Sequence, residues 1–207
     1  FGEGRLLVEE FLEGPEISIF ASVVDGDYQI LAPARDYKRI YDGDEGPNTG
    51  GMGAVSSLEM LDEELRGLIE DTVVRPTVEG LVRDGLPYRG FLYFGLMLTT
   101  DGPKLLEYNC RFGDPEAEAV LPMIGGDFAR YLFEGARGRL QPDLIRFADG
   151  WSVCLVSASA GYPAGSRSGD VISGLDQVSD ARVFHAGTRR NADGHFETAG
   201  GRVVVVA

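Results

Sequence analysis

The sequence predicts an α+β fold in which an antiparallel sheet with flanking helices is followed by a small β-rich domain. Two strand–turn–strand patterns separated by a helical repeat indicate the sheet and its helices. Short alternating strands punctuated by glycine follow after Asp149 and indicate the second domain. We therefore predict two domains, over residues 1–147 and 148–207.

The two strand pairs are recognised by their turns. Residues 17–24 and 28–34 flank an Asp-Gly-Asp turn, and residues 91–100 and 105–110 flank an Asp-Gly turn. Each pair therefore predicts a β-hairpin. The preceding residues 5–11 also favour an extended chain.

Helical spacing predicts the flanking helices. Apolar residues recur every three or four positions from Leu61 to Val82, with an expected kink at Pro76, which predicts one broken amphipathic helix. Asp114 precedes Pro115 and Glu116, an order typical of a helix start, and Asp127 precedes a second apolar run. The β-rich part is predicted to contain strands over residues 151–160, 182–186 and 202–206 and a turn at residues 191–194.

Composition and charge exclude several classes of partner. The 207-residue chain carries 19 Lys and Arg against 33 Asp and Glu, and this net charge of −14 argues against a nucleic-acid partner. Its longest strongly apolar stretch, residues 91–98, is far shorter than the roughly 20 residues that span a bilayer, so we expect no membrane partner and a cytoplasmic location. The two cysteines, Cys110 and Cys154, are far apart and are both predicted to be buried thiols.

The predicted strand 105–110 carries a candidate metal site. Glu107 and Asn109 are two residues apart on this strand, so both side chains leave the same face. Carboxylate and amide oxygens suit Mg²⁺, although ordinary polar residues on an edge strand would show the same spacing. Arg111 follows at once, and its guanidinium can clamp a phosphate beside the helix start at Asp114.

Other polar stretches are less specific. By composition alone, residues 42–54 form a mobile glycine-rich loop, residues 9–16 a solvated acidic edge and residues 36–39 a surface patch. His185 and His195 have no partner at zinc-ligand spacing.

Six segments, taken in order, closely resemble the phosphoribosylamine–glycine ligase family, whose members are also called glycinamide ribonucleotide synthetases. The resemblance covers essentially the whole chain, and its most specific parts are the RFGDPE and GPNTGGMGA motifs. It implies that residues 1–147 form the carboxy-terminal portion of an ATP-grasp fold and that residues 148–207 form a truncated β-rich domain. The segments are VEEFLEGPE (8–16), DYKR (36–39), GPNTGGMGA (46–54), GFLYFGLML (90–98), LLEYNCRFGDPEAE (105–118) and GYPAGSRSGDVISGL (161–175).

The resemblance also implies an activity and a set of site residues. The activity is the ATP-dependent ligation of glycine to 5-phosphoribosylamine in purine biosynthesis, through a glycyl phosphate, which yields glycinamide ribonucleotide, ADP and phosphate. The implied roles are nucleotide binding by Glu9, Glu10, Phe11, Leu12 and Glu16, binding of Mg²⁺ or Mn²⁺ by Glu107 and Asn109, contact with the reacting phosphates by Lys38 and Arg111, and binding of glycine and the phosphoribosyl group by Asn48, Gly50, Gly51 and Asp114.

Several alternatives remain open at this point. Asp114 could serve only as a helix cap and Asn48 only as a turn residue. The chain could belong to another ATP-grasp ligase, or to a non-catalytic β-rich binding module. Members of the family are roughly twice this length, so we expect a fragment that is inactive alone and is completed by a missing amino-terminal half of the same enzyme.

Overall fold

The structure, a computed structural model, describes residues 6–43 and 45–207. These residues form one large sheet, three small two-stranded sheets and four short α-helices. The strands are β1 (Glu16–Val24), β2 (Asp27–Ile30), β3 (Ala34–Asp36), β4 (Arg39–Tyr41), β5 (Glu45–Asn48), β6 (Gly53–Ser56), β7 (Arg89–Thr99), β8 (Gly102–Asn109), β9 (Ile124–Gly126), β10 (Ile145–Phe147), β11 (Ser152–Ala158), β12 (Val183–His185), β13 (Thr188–Arg190), β14 (Phe196–Thr198) and β15 (Arg202–Val206). The helices are α1 (Glu63–Ile69), α2 (Arg75–Arg83), α3 (Glu116–Val120) and α4 (Phe128–Ala136).

The large sheet has nine strands, and each of its strand pairings is antiparallel. Its order is β12-β15-β11-β6-β3-β1-β7-β8, and β2 pairs with β1 beside β3. Both predicted hairpins are confirmed, as β1–β2 with Val24 opposite Asp27 and as β7–β8 with Thr99 opposite Gly102. Residues 6–15 form no strand, and the predicted extended course of residues 5–11 stays a prediction; Arg5 lies outside the described residues.

The broken helix is confirmed, but its irregular part precedes the proline. A π-type segment, Glu70–Val74, joins α1 to α2, and the Arg75 amide bonds the carbonyl of Glu70 five residues back. Pro76 lies in the first turn of α2, but the residues before it are themselves helical, so the bond that its missing amide hydrogen cannot make falls within the irregular π-type segment. The Asp127 carboxylate accepts a hydrogen bond from the Arg130 amide and caps α4, as predicted.

Helices cover both faces of the sheet. On one face, residues of β1 and β7 pack against α1, the π-type segment and α2 around the fully buried Phe94. On the other face, Phe20 and Tyr93 pack with Val120 and with Tyr131 of α4. This second face leaves an open area beyond Ser18, toward the start of β1, because α4 covers only the far end of the strand.

The β-rich part contributes to the same large sheet. Strand β11 pairs with β6, and β15 and β12 continue the sheet from β11, so strands on both sides of the predicted boundary at residues 147 and 148 lie in one sheet. The boundary itself stays a prediction. No helix within the described ranges is long and apolar enough to cross a membrane.

The cysteine prediction is right for one residue and wrong for the other. Cys154 is buried in the β11 core, and burial raises the pKa of its thiol to about 11. Cys110 is exposed, because it follows β8, an edge strand of the large sheet. Both cysteines are free thiols.

Candidate active site

One open face of the sheet gathers polar side chains from β1, β7 and β8. Ser18 of β1 lies opposite Gly95 of β7, which in turn lies opposite Glu107 of β8. Since side chains two apart on a strand share a face, Glu16 and Asn109 join this set. A cavity of about 330 Å³ opens here and is lined by Glu16, Ile17, Ser18, Asp36, Lys38, Tyr93, Gly95, Leu96, Leu106 and Glu107.

Gly95 makes room for the Glu107 side chain. A Cβ atom on Gly95 would lie 3.1 Å from Cγ of Glu107 and 3.3 Å from the ring of Tyr93. A side chain at position 95 would therefore crowd both Glu107 and Tyr93. The predicted common face of Glu107 and Asn109 is consistent with their register, opposite Gly95 and Tyr93.

Lys38 and Glu16 form an ion pair at the mouth of the cavity. Lys38 Nζ donates to Glu16 Oε2 at 2.5 Å. Burial alone would lower the pKa of Lys38, but the hydrogen bond and negative charge of Glu16 outweigh it and raise this pKa. Lys38 is therefore held as a cation beside two carboxylates, those of Glu16 and Asp36.

Asp36 lies deeper, and one of its carboxylate oxygens accepts no hydrogen bond from the described residues. Its Oδ1 atom is buried without a hydrogen-bond partner among the described residues. Burial raises the pKa of Asp36 to about 7, and the negative charge of Glu116 adds to this, against the opposing charges of Lys38 and Arg202. Asp36 therefore changes its protonation state near neutral pH.

A buried hydrogen-bond chain supports the floor of the cavity. Ser18 donates to Glu116 Oε1 at 2.9 Å, and its oxygen lies 3.0 Å from the hydroxyl of Tyr93. Because the single Ser18 proton goes to Glu116, the Tyr93 hydroxyl donates to Ser18. Glu116 leaves no space for a side chain at Gly113, where a Cβ atom would lie 2.1 Å from its carboxylate.

The glycine-rich stretch contains strand residues, whereas its composition alone predicts a loop. It includes β5, which pairs with β4 so that Asn48 lies opposite Arg39, and its last two residues begin β6. A second cavity of about 200 Å³ adjoins Glu16 and Lys38 and is also lined by Asn48. Asp44 lies outside the described residues.

Gly50, Gly51 and Asp114 are brought together from distant parts of the chain. Arg202 Nη1 donates to the carbonyl oxygens of Gly50 and Asp114 at 2.7 Å and 2.8 Å. The interpretation of Asp114 as a helix cap is wrong, because Pro115 takes the cap position and the Asp114 carboxylate pairs with Arg202 at 3.0 Å.

The remaining predicted residues lie outside both cavities. Glu9, Glu10 and Phe11 are exposed, and Leu12 is half-buried, with none of the four lining either cavity. Arg111 is exposed, and its Nη1 donates to the carbonyl of the adjacent Phe112 at 2.8 Å. Within the described residues it forms no ion pair with the carboxylates of α3.

Two family profiles match the chain. The profile "Phosphoribosylglycinamide synthetase, ATP-grasp (A) domain" matches residues 1–117, more than half of the chain, and the C-domain profile of the same enzyme matches residues 152–207. The chain belongs to the phosphoribosylglycinamide synthetase family. The fold class is thereby confirmed, and a match to both profiles argues against a different ATP-grasp ligase or an unrelated β-rich module.

Curated relatives and a solved structure agree with this membership. Proteins named phosphoribosylamine–glycine ligase from Caldanaerobacter subterraneus subsp. tengcongensis and Yersinia pestis are each 44% identical to the chain, with 96% and 100% of this chain and 47% and 49% of those proteins covered. A crystal structure of phosphoribosylamine–glycine ligase from Thermotoga maritima superimposes with a TM-score of 0.84 at 39% identity, covering 95% of this chain and 48% of that one. The chain spans about half the length of these relatives.

The sequence reasoning missed four polar residues of the site: Asp36, Ser18, Glu116 and Arg202. Asp36 lies two residues before Lys38 and so shares its side of the chain, which is a usable signal. Ser18 and Glu116 are 98 residues apart, and Arg202 is 152 residues from Gly50, so no local spacing connects them.

Proposed function

We propose that the chain supplies part of the active site of an ATP-dependent ligase that joins glycine to 5-phosphoribosylamine. The observation that carries the proposal is that Glu16, Asp36, Lys38 and Glu107 line one common cavity. The chain that forms this cavity belongs to the phosphoribosylglycinamide synthetase family. A cation and several oxygen donors on one face are suited to a nucleotide's phosphates and their metal ion. The relatives named phosphoribosylamine–glycine ligase supply the substrate assignment.

The proposed reaction needs two bond-forming steps. The glycine carboxylate attacks the γ-phosphorus of ATP, so that ADP leaves and glycyl phosphate forms. The amine of 5-phosphoribosylamine then attacks the carbonyl carbon, phosphate leaves, and the amine loses one proton. Both steps develop negative charge on phosphate oxygens, so fixed positive groups contribute more than a protein nucleophile would.

Lys38 and Arg111 are the proposed positive groups. Lys38 is held in place by Glu16 on the cavity wall. Arg111 is exposed, with most of its guanidinium donors available to a phosphate or carboxylate. We keep Glu9, Glu10, Phe11 and Leu12 as the proposed adenine contacts and Glu16 as the ribose contact.

Glu107 and Asn109 are the proposed ligands for a divalent cation, Mg²⁺ or Mn²⁺. The donor set fits, because the residues follow one another on the same side of β8 and Gly95 leaves space beside Glu107. When bound there, the cation would neutralise charge on the phosphate oxygens. The glycine and phosphoribosyl side of the site is assigned to Asn48, Gly50, Gly51 and Asp114, next to the cavity.

The proposal includes partners and a place in the cell. Because the chain spans about half the length of its relatives, we propose that the other half of the same enzyme completes the site. We also propose a cytoplasmic location, which two free thiols without a disulfide support.

The test is a coupled assay of ADP release on the complete natural polypeptide that contains this sequence. ADP release should require both glycine and freshly prepared 5-phosphoribosylamine, and omission of either should abolish it. ADP release that ignores both substrates would reject the proposed reaction.

The metal assignment is tested in the same assay. Glu107→Gln keeps the shape of the side chain but removes a charged ligand, so half-maximal activity should need about tenfold or more Mg²⁺. Glu79→Gln is the matched control, since Glu79 is exposed on α2, on the opposite face of the sheet. An unchanged Mg²⁺ dependence in Glu107→Gln would remove Glu107 from the site.

A further inference from the structure

Arg202, on β15, contacts two separate segments of the site with one nitrogen atom. Its Nη1 lies 2.7 Å from the carbonyl oxygen of Gly50, 2.8 Å from the carbonyl oxygen of Asp114 and 3.0 Å from the Asp114 carboxylate. The Arg202 side chain is 22% exposed, whereas that of Asp114 is 59% exposed. The guanidinium is thus the more buried partner, enclosed between the two segments that it joins.

Tyr162 provides a second contact from the same part of the chain. Its hydroxyl accepts a hydrogen bond from the Gly50 amide at 2.9 Å. Its ring covers Gly201, where a Cβ atom would lie 2.5 Å from the ring. Gly50 is therefore held at its amide by Tyr162 and at its carbonyl by Arg202, and both side chains come from the segment that matches the C-domain profile.

The held glycine segment packs against Asp36, which lines the cavity. At Gly51, with φ of +109°, a Cβ atom would lie 2.7 Å from Asp36 Oδ1 and 2.4 Å from the ring of Pro115. Asp36 lines both cavities beside Lys38. A displacement of Gly50 would therefore change the packing on Asp36, and through it the cavity wall.

The chemistry of arginine suits this contact better than that of lysine. A planar guanidinium presents several donors in a fixed arrangement and can bond carbonyl and carboxylate oxygens at the same time. A lysine ammonium has the same charge but lacks this fixed plane, so it cannot reproduce the geometry.

We propose that Arg202 is a positioning residue, supported by Tyr162, that holds the Gly50–Gly51 segment and the Asp114 turn in register with the cavity. Residues from the C-domain segment thereby set the affinity for the amine and amino-acid substrates, and they reach the nucleotide side of the cavity only indirectly, through Asp36 and the backbone of Lys38. The inference rests on the proposed function, which assigns Gly50, Gly51 and Asp114 to those substrates.

The experiment compares Arg202→Lys, Tyr162→Phe and wild type in the complete natural polypeptide. For Arg202→Lys, the KM for glycine, for 5-phosphoribosylamine or for both should rise about tenfold to a hundredfold, the range expected for loss of a charge-assisted hydrogen bond. The KM for ATP should rise clearly less than these, because the held segment reaches the proposed phosphate contact Lys38 only through Asp36 and the Lys38 backbone. Tyr162→Phe, which removes one neutral hydrogen bond, should change the same constants about threefold to tenfold.

Arg189→Lys is the matched control. Arg189 lies in the same C-domain segment and pairs with Glu197 at 2.6 Å, but its side chain is 62% exposed and contacts no proposed site residue. Its kinetic constants should equal those of wild type, because exposed ion pairs contribute little.

Amide hydrogen exchange gives a readout that does not depend on activity. The amide hydrogens of Gly50 and Gly51 should exchange faster in Arg202→Lys and Tyr162→Phe than in wild type. In Arg189→Lys their exchange rates should equal those of wild type. Equal rises in all three KM values, or a lower Tm with unchanged KM values, would overturn the positioning role. Wild-type enzyme without glycine-dependent ADP release would instead overturn the proposed function, and the inference with it.

Discussion

The two faces of the β1–β7 strand pair are built from alternating residues of the same strands, yet they are specified in different ways. On one face, Ile19 and Phe94 are almost fully buried against α1 and α2. On the other face, Ser18 and Tyr93 are buried in a hydrogen-bond chain that ends at Glu116. The stability of the first face, the apolar face, depends on the summed burial of many side chains. The structure of the second face, here called the cleft face because the 330 Å³ cavity opens on it, depends on a few specific hydrogen bonds. Substitutions on the apolar face should therefore cost the most stability, and substitutions on the other face should cost less and should also change the protonation of nearby carboxylates.

The largest expected effect is on the apolar face. Phe94→Ala should lower the free energy of unfolding by about 3–5 kcal/mol, because it removes a fully buried ring from the largest core cluster. Urea unfolding of the chain, followed by circular dichroism, measures the difference.

Phe133→Ala is the control for this substitution. Phe133 lies on α4 and is 57% exposed. Its removal should cost about 1 kcal/mol or less, since little apolar surface returns to water. If both variants were destabilised equally, the burial argument for the apolar face would be wrong.

A smaller loss of stability is expected on the cleft face. Ser18→Ala should cost about 1–3 kcal/mol, because it leaves the buried Glu116 carboxylate without one of its donors. In a Glu116→Ala background the same substitution should cost clearly less, and this double-mutant cycle isolates the pair. Equal costs in the two backgrounds would show that the Ser18–Glu116 hydrogen bond contributes nothing.

The smallest expected effect is a pH dependence at Asp36. Its pKa is raised to about 7 from an ordinary value of 3.8, chiefly by burial. The folded state therefore holds a proton that the unfolded state releases, so Asp36 lowers stability progressively as the pH rises from about 4 to 7. Asp36→Asn removes this pH-dependent loss of stability. The difference in Tm between the variant and wild type should therefore be a few degrees more favourable to the variant at pH 8 than at pH 5.

Glu79→Gln serves as the comparison for the pH experiment, since Glu79 is exposed on α2. Its Tm relative to wild type should stay constant between pH 5 and pH 8. A constant difference for Asp36→Asn as well would show that the Asp36 carboxylate titrates below this range.

Local patterns were enough for most of the fold. The hairpins β1–β2 and β7–β8 follow from Asp-Gly turns between apolar runs, and the Asp127 cap follows from one side chain and the next turn of helix. The interrupted helix also follows from its repeat, although the irregular turn comes before Pro76 rather than at it. Each of these features involves residues close in sequence, where spacing and geometry correspond directly.

The candidate site was only partly accessible from local patterns. Spacing on one strand identified Glu107 and Asn109 as neighbours on one face, and the family motifs pointed to Lys38. The interpretation of Asp114 as a helix cap was wrong because its carboxylate pairs with Arg202, which lies 88 residues further along the chain and does not enter a capping rule based on neighbouring residues. The exposed position of Cys110 likewise depends on β8 being an edge strand, which strand order alone settles.

The sequence was therefore sufficient for the fold class, the hairpins, the helix starts and the family, since propensity, periodicity and motif all act over short stretches. Tertiary structure was needed for the partners of Asp36, Ser18 and Gly50, which come from segments far along the chain. Such contacts arise because an antiparallel sheet brings distant strands side by side and a helix such as α3 then packs across several of them. The hydrogen-bond partner of a buried carboxylate or guanidinium is the group that this packing places next to it. That partner is not predictable from the periodicity of the sequence.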